Sequence, residues 1–470
     1  MPETPANDYN PGMEAPEIIL SFEGGSLLVE GGEPERLDAL PGCQLDPRTG
    51  QHRAEARHYR ALVEHLRREK IVYVDKARSY EPVAWTLTDD RVPFPHQTEG
   101  METWWRARGQ GLVVLPTGTG KTFLAMLAIR KAGRPSLVVT PTIDLLNQWY
   151  GQLKDGFGVE VGLLGGGSYD MQPLTVSTYD SAYIHLERWG NRYGLIVFDE
   201  CHHLPGPSYQ MIAVGCLAPF RLGLTATPER ADGQDSLYPG LIGPIVYRRE
   251  ITQLAGEFLA EYRTQRVFVD LSPEEQRIYR ENREAYRNFA SQRGISLGGA
   301  NGWQKFIIEC SRSSEGRAAF KAFWEQKRVE RAPASKLTKL AELLGKHPND
   351  RILIFTADNA TVHRISRRFL VPSITHQTKA KERKKILERF HSGEYSIVVT
   401  SQVLNEGVDV PAASVGIVLS GTGTTRENVQ RLGRILRKYG DKQALLYEVV
   451  ARGTAEEFTS DRRRQHSAFQ

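Results

Sequence analysis

Two blocks of the chain share one grammar, short apolar runs separated by helical stretches. The first block carries Leu112–Leu115, Leu137–Thr140, Leu174–Ser177, Leu195–Phe198 and Arg221–Leu224. Continuous apolar runs predict strands buried on both faces, and helices between them predict a parallel sheet covered on each side. The same pattern returns in Ile352–Phe355, Ser396–Val399, Val415–Leu419 and Ala444–Tyr447, which predicts a second α/β domain. Ahead of both, Ile19–Phe22 and Ser26–Val29 predict a small β-rich module. Its helix is expected over Ala54–Lys70, where Tyr59, Leu62, Val63 and Leu66 recur at helical steps. Between the two blocks, Ser272-Pro273-Glu274-Glu275 sets a cap residue, a first-turn proline and a capping-box glutamate in register, predicting a helix to about Gln292. A Gly-rich loop, Gly294–Gly302, then leads to a second helical segment, Gly302–Arg331. The expected domains are residues 1–80, 81–255, a helical insertion over 256–335, and 336–470.

Composition narrows the class without naming a function. With 40% hydrophobic and 25% charged residues the chain is neither disordered nor collagenous. No apolar run approaches the ~20 residues of a membrane span, so no membrane partner is expected. A net charge of +5 is too small to identify a polyanion ligand. Cys43, Cys201, Cys216 and Cys310 form no CxxC pair, which argues against a zinc ribbon or a disulfide framework and fits a reducing compartment, cytoplasmic or nucleoid-associated.

The chemistry concentrates in two places. Leu115-Pro116-Thr117-Gly118-Thr119-Gly120-Lys121-Thr122 follows a predicted strand and opens a predicted helix, Phe123–Ala132. Glycines there let backbone N–H groups turn toward phosphate oxygens, Lys121 can reach the β and γ phosphates, and Thr122 can ligate Mg²⁺. Thr117, Gly118, Thr119 and Gly120 complete the cradle, although Leu115 stands where the usual pattern has its first glycine. Asp199-Glu200-Cys201-His202 follows the strand Leu195–Phe198. A carboxylate at a strand end can hold the metal shell and its neighbour can deprotonate water, which gives Asp199 the Mg²⁺ role and Glu200 the base role.

Asp-Glu-X-His with the GKT loop resembles superfamily 2 helicases and translocases, and the remaining motifs occur in order. Thr140-Pro141-Thr142 with Gln148-Trp149 resembles motif Ia, Val176–Tyr179 motif Ic, Thr225-Ala226-Thr227 motif III and Phe355-Thr356 motif IV. Thr400-Ser401 through Gly407-Val408-Asp409-Val410-Pro411 resembles motif V, and Gln430–Arg437 motif VI. The resemblance implies two RecA-like parallel-sheet domains, ATP with Mg²⁺ at the cleft between them, His202 as part of the catalytic set, and Gly407 and Asp409 beside the nucleotide. Permanently charged guanidiniums can clamp γ-phosphate oxygens, so Arg434 and Arg437 are the candidate arginine fingers. Gln97, upstream of the first strand, stands where the superfamily reads the adenine edge. Thr142, Thr178, Arg230 and Thr400 are the candidates for nucleic-acid contact.

The wording of Asp180–Tyr183, Ala218–Thr227 and Arg431–Arg437 is similar to the XPB family of DNA translocases. That resemblance implies 3′ to 5′ movement on duplex, forked or bubble DNA in repair or transcription, an N-terminal damage-recognition-like domain, a thumb-like helical insertion, and a nuclease or a repair or transcription protein as partner. Arg230-Ala231-Asp232 keeps the ends of the family's Arg-Glu-Asp element and loses its middle acid, so translocation is implied more firmly than strand separation. An RNA helicase and a nucleotide-gated DNA-binding scaffold are the alternatives. Lys379–Lys385 reads either as a solvated helix face or as a phosphate-tracking patch. The aromatics of the insertion, Tyr279, Tyr286, Trp303, Phe306 and Trp324, read as core.

Overall fold

The computed structural model describes residues 18–230, 232–298, 301–401, 413–421, 425–436, 443–464 and 467–469. Residues up to Arg249 form one compact unit and those from Glu250 a second.

The first unit opens with a five-stranded sheet of β1 (Ile18–Glu23), β2 (Ser26–Glu30), β3 (Cys43–Asp46), β4 (Gln51–Glu55) and β5 (Tyr73–Asp75), ordered β3-β4-β2-β1-β5. A helix over Tyr59–Arg68 lays Leu62 and Leu66 on Ile18, Leu20 and Leu27. The predicted helix therefore begins too early: Ala54 and Glu55 end a strand. His52 and Ala54 alternate inward with period two, and one 3₁₀ turn separates them from the helix. This small domain docks on the one that follows. Arg60 Nη1 donates to the Arg108 carbonyl at 2.6 Å and the Pro219 carbonyl at 3.0 Å, and Asn191 Nδ2 donates to the Ala77 carbonyl at 3.0 Å. Leu217, from the large domain, sits in the small domain's core.

The second sheet of this unit comprises β6 (Gln110–Val114), β7 (Ser136–Thr140), β8 (Gly162–Gly165), β9 (Ser168–Tyr169), β10 (Leu174–Thr178), β11 (Leu195–Asp199), β12 (Phe220–Thr225) and β13 (Ile245–Arg248). Its order is β13-β6-β12-β11-β7-β10-β8-β9, and every pair is parallel except β8 with β9. β7, β10 and β11 are buried along their whole length, as continuous apolar runs require. Parallel pairing places the ends of β6, β10 and β11 on one edge, where ligands bind in open α/β sheets.

The second unit is built on β14 (Tyr262–Val269), β15 (Ile352–Phe355), β16 (Ser373–Ile374), β17 (Ile397–Thr400), β18 (Val415–Val418) and β19 (Ala444–Ala451), all parallel, in the order β14-β19-β18-β15-β17-β16. β14 lies in the stretch expected to be a helical insertion. Its side chains alternate between exposed and half-buried, so it lacks the apolar run that betrays the central strands.

Among the described residues four helices lie between β14 and β15: Pro273–Gln292, Gly302–Arg312, Ser314–Arg331 and Ala334–Lys346, the last carrying Lys336. The expected single helix from Gly302 is broken at Ser313, whose extended backbone lets its hydroxyl accept from Gly316 N at 2.9 Å. Gly302 starts the helical stretch as expected. Tyr286, Phe289 and Phe306 form the core of this helical cluster, and Tyr279 is buried as well. Trp303 and Trp324 instead remain 38% and 45% exposed, resting on Phe306 and Phe323. Lys379 precedes a helix over Ala380–Ser392 in which only Phe390 is buried, so Lys381, Lys384 and Lys385 face solvent.

Candidate functional site

β6 ends at Val114, and the chain turns through Leu115–Gly120 into a helix over Lys121–Ala132. Gly118 at φ +91° and Gly120 at φ +79° hold left-handed backbone that a side chain resists. Lys121 Nζ donates to the carbonyls of Leu115 at 3.1 Å and Pro116 at 3.4 Å, and Thr119 Oγ1 donates to Pro116 O at 2.8 Å. The loop thus curls around the ammonium. Leu115 is fully buried and its N–H bonds to Thr225 O at 3.0 Å, so the missing glycine is a residue that prolongs the sheet.

Gln97 braces this loop. Its Nε2 donates to Thr119 O at 3.0 Å and Gly120 O at 3.3 Å, while its Oε1 accepts from Phe94 N at 2.9 Å. Both ends of the amide are thereby engaged inside the chain. His96, which the motifs did not single out, adds a contact from Nε2 to Thr119 O at 2.9 Å.

Asp199 ends β11 beside this loop. Its Oδ2 accepts from Trp149 Nε1 at 2.7 Å, its Oδ1 accepts from Glu200 N at 3.0 Å, and Tyr179 Oη donates to its carbonyl at 3.1 Å. Burial, then the charge of Glu200, push its carboxyl up to about 6, while Trp149 and Lys121 pull the other way. Glu200 is buried with φ +45°, a strained setting for a side-chain-bearing residue. Its Oε2 lies 3.4 Å from His202 Nδ1. The same Nδ1 lies 3.2 Å from Thr225 Oγ1, which also donates to Thr227 O at 3.3 Å. His202 therefore links the acidic pair to Thr225-Ala226-Thr227. Among the described residues no His, Cys, Asp and Glu group could hold a metal by itself. Burial and the two neighbouring acids push the Cys201 thiol well up, so it offers no ready thiolate.

The nucleic-acid candidates each make a local contact within the chain. Thr142 and Thr178 are helix caps, accepting from Leu145 N and Ser181 N at 3.2 Å each. Thr400 is fully buried, its hydroxyl donating to Ser401 O at 3.2 Å. Arg230 donates to the His202 carbonyl and pairs with Asp232 at 2.6 Å, joining the segment after motif III to the Asp-Glu-X-His turn. That pairing holds the exposed Asp232 carboxyl down at about 2. Arg434 lies on the helix Thr425–Ile435, though its side chain is outside the described residues. Gly407, Asp409, Arg437 and Ala231 are outside them too.

Three buried oxygens at this edge, Thr117 Oγ1, Glu200 Oε2 and Thr227 Oγ1, have no hydrogen-bond partner among the described residues. Buried polar atoms are rarely left so without a ligand or water to serve them. With Lys121 and two adjoining carboxylates, the donor set fits a triphosphate and a divalent cation.

Residues 20–77 match the family model for the xeroderma pigmentosum group B helicase damage recognition domain, 91–230 that for the type III restriction enzyme res subunit, and 335–439 that for the helicase conserved C-terminal domain. The chain is 42% identical over 386 residues to the DNA 3′-5′ translocase XPB2 of Sulfurisphaera tokodaii, covering 80% of this chain and 88% of that protein. It is 30% identical to the DNA 3′-5′ helicase XPB of Mycobacterium tuberculosis, covering 81% of this chain but only 63% of that longer relative. The Pyrococcus furiosus Hef helicase domain shares the fold at a TM-score of 0.51 and 21% identity, over 78% of this chain and 97% of that domain. Saccharomyces cerevisiae Dbp5, solved bound to RNA and ADP BeF3, does so at 0.55 and 14%, over 80% of this chain and 88% of that one. The two parallel-sheet domains are thus RecA-like, and the chain belongs to the XPB family of superfamily 2 helicases and translocases.

Proposed function

We propose that this chain is a DNA-dependent ATPase that moves 3′ to 5′ on DNA, with the roles of its residues set by the edge of the first large sheet. The observation that carries the reading is the convergence there of Lys121, Asp199, Glu200 and His202, in a member of this family. Loop N–H groups and Lys121 bind the phosphate oxygens. Thr122 and Asp199 would hold Mg²⁺, which would offset phosphate charge as it develops. Glu200 Oε2 takes the proton of the attacking water, and His202 holds Glu200 in place. Gln97 acts through the loop it braces, since contacting an adenine would require it to exchange those bonds.

The resemblance adds Arg434 and Arg437 as the guanidiniums that clamp γ-phosphate oxygens, and Gly407 and Asp409 as residues of the nucleotide site. ATP-bound and product-bound states favour different arrangements of the chain, so each hydrolysis steps the nucleic acid it holds. Phosphate contacts come from backbone N–H groups at the capped helix starts beyond Thr142 and Thr178, and carry no sequence information. The resemblance extends the proposal to forked and bubble DNA and to a nuclease or a repair or transcription protein as partner.

Arg434→Ala is expected to cut turnover at saturating DNA by about 10³- to 10⁵-fold, and a loss under about tenfold in steady-state assays would remove the finger assignment. DNA affinity should fall steeply with salt, the log–log slope being about −0.9 per phosphate neutralised. Salt-insensitive binding in a titration series would contradict a backbone-tracking path. Stimulation by RNA but not duplex DNA would favour the RNA-helicase reading, because contacts at the 2′-OH separate the two.

A further inference from the structure

The end of β18 is held more tightly than a surface loop needs. Leu419 N bonds to Phe355 O at 3.0 Å, and the Leu419 carbonyl accepts from Lys336 Nζ at 2.6 Å. Ser420 Oγ accepts from Ala357 N at 3.0 Å, and the Gly421 carbonyl accepts from Arg463 Nη2 at 2.9 Å. A Cβ at Gly421 would run into the guanidinium of Arg431, itself fully buried over the Phe355 ring. Arg431 belongs to the helix Thr425–Ile435 that bears Arg434.

The two cations that hold these carbonyls are themselves buried and paired. Lys336 Nζ meets Glu456 Oε2 at 2.6 Å, and Arg463 Nη1 meets Glu448 Oε1 at 2.6 Å. Burial works against the charge on Lys336, and Glu456 opposes that effect. Such pairs rarely add net stability over apolar residues of similar size, so their use lies in fixing one arrangement. The cluster also reaches the helical insertion. Ala455 N donates to Tyr279 Oη at 2.7 Å, one residue before Glu456. Glu330, near the end of the last insertion helix, acts electrostatically on both Lys336 and Glu456.

We infer that Lys336 and Arg463 are positioning residues for the motif VI helix, and that the Lys336–Glu456 pair is the joint through which the helical insertion sets the placement of Arg434. This rests on Arg434 being the charge clamp proposed above. Neither cation touches the nucleotide; each acts through the carbonyls of Leu419 and Gly421.

The test compares the full chain with K336M, with K336M/E456L, and with each of these in an R434A background. Measured are kcat and KM for ATP with and without duplex DNA, nucleotide-analogue affinity, and thermal unfolding. K336M strands a buried carboxylate and should lower Tm. K336M/E456L should recover part of that Tm, since the Ala451 N–H that bonds to Glu456 Oε2 at 2.9 Å loses its acceptor, yet keep kcat at saturating DNA at least about tenfold below wild type with KM for ATP within about twofold. In the R434A background the same pair should lower kcat further by less than about twofold, since the group it positions is gone. Wild-type kcat in K336M/E456L, or a full additional loss beside R434A, overturns the inference. Should the double variant fail to fold, Gly421→Ala, which keeps both ion pairs but drives the loop against Arg431, must show the same kcat loss at unchanged analogue affinity. Wild-type kcat there also overturns it. Unmodified chain is assayed alongside, so absence of DNA-stimulated turnover refutes the proposed function separately.

Discussion

Glu200→Gln is expected to lower ATP turnover by about 10²- to 10⁴-fold, the range for losing a positioned general base, while ATP still binds. The exchange is nearly isosteric and keeps the left-handed turn that aims the side chain. What it removes is the proton acceptor. Glu200 Oε2 is buried without a hydrogen-bond partner among the described residues, with the His202 ring 3.4 Å away, so it can receive water's proton without first breaking a hydrogen bond. Phosphate binding depends on Lys121 and the loop N–H groups, which the substitution leaves alone. Single-turnover hydrolysis beside a nucleotide-binding titration reads both halves, and wild-type hydrolysis in the variant would exclude Glu200 as base.

Lys121→Ala should cost at least about 10²- to 10³-fold in turnover, the scale for deleting one preorganised donor to developing charge, and should weaken ATP binding as well. Two carbonyls that Nζ contacts lie in its own loop. Thermal unfolding within a few degrees of wild type is the accompanying expectation. Normal turnover in that variant would mean that the cradle is not where phosphate binds.

What could be read from the amino-acid pattern follows the strength of each local signal. Strands buried on both faces, such as Leu195–Phe198, stand out because every residue is apolar, and they locate the sheet edge that carries the chemistry. β14 has no such run: Arg263 and Gln265 alternate with half-buried neighbours, and its charged surroundings resemble a linker. The break at Ser313 needed the cap to be recognised inside an otherwise helical pattern. At the site, the motifs located Lys121, Asp199 and Glu200, but not what surrounds them. Trp149 as donor to Asp199, His96 and Gln97 as braces of the loop, and Arg230 as partner of the His202 carbonyl are tertiary pairings between distant segments, and spacing along the chain does not encode them. Thr142 and Thr178 could have been recognised, since a threonine directly before an apolar helical run is a cap signal. Their hydroxyls serve the helices first.

Coupling between DNA-driven hydrolysis at this sheet edge and movement along DNA is what the proposed function requires. It is tested most directly by ATP turnover of the full chain, measured with no nucleic acid, with duplex DNA and with duplex RNA, alongside displacement of a third strand from a DNA triplex. The account predicts strong stimulation by duplex DNA alone, and ATP-dependent displacement that disappears in Glu200→Gln. Turnover indifferent to DNA, or displacement that survives in that variant, would contradict it.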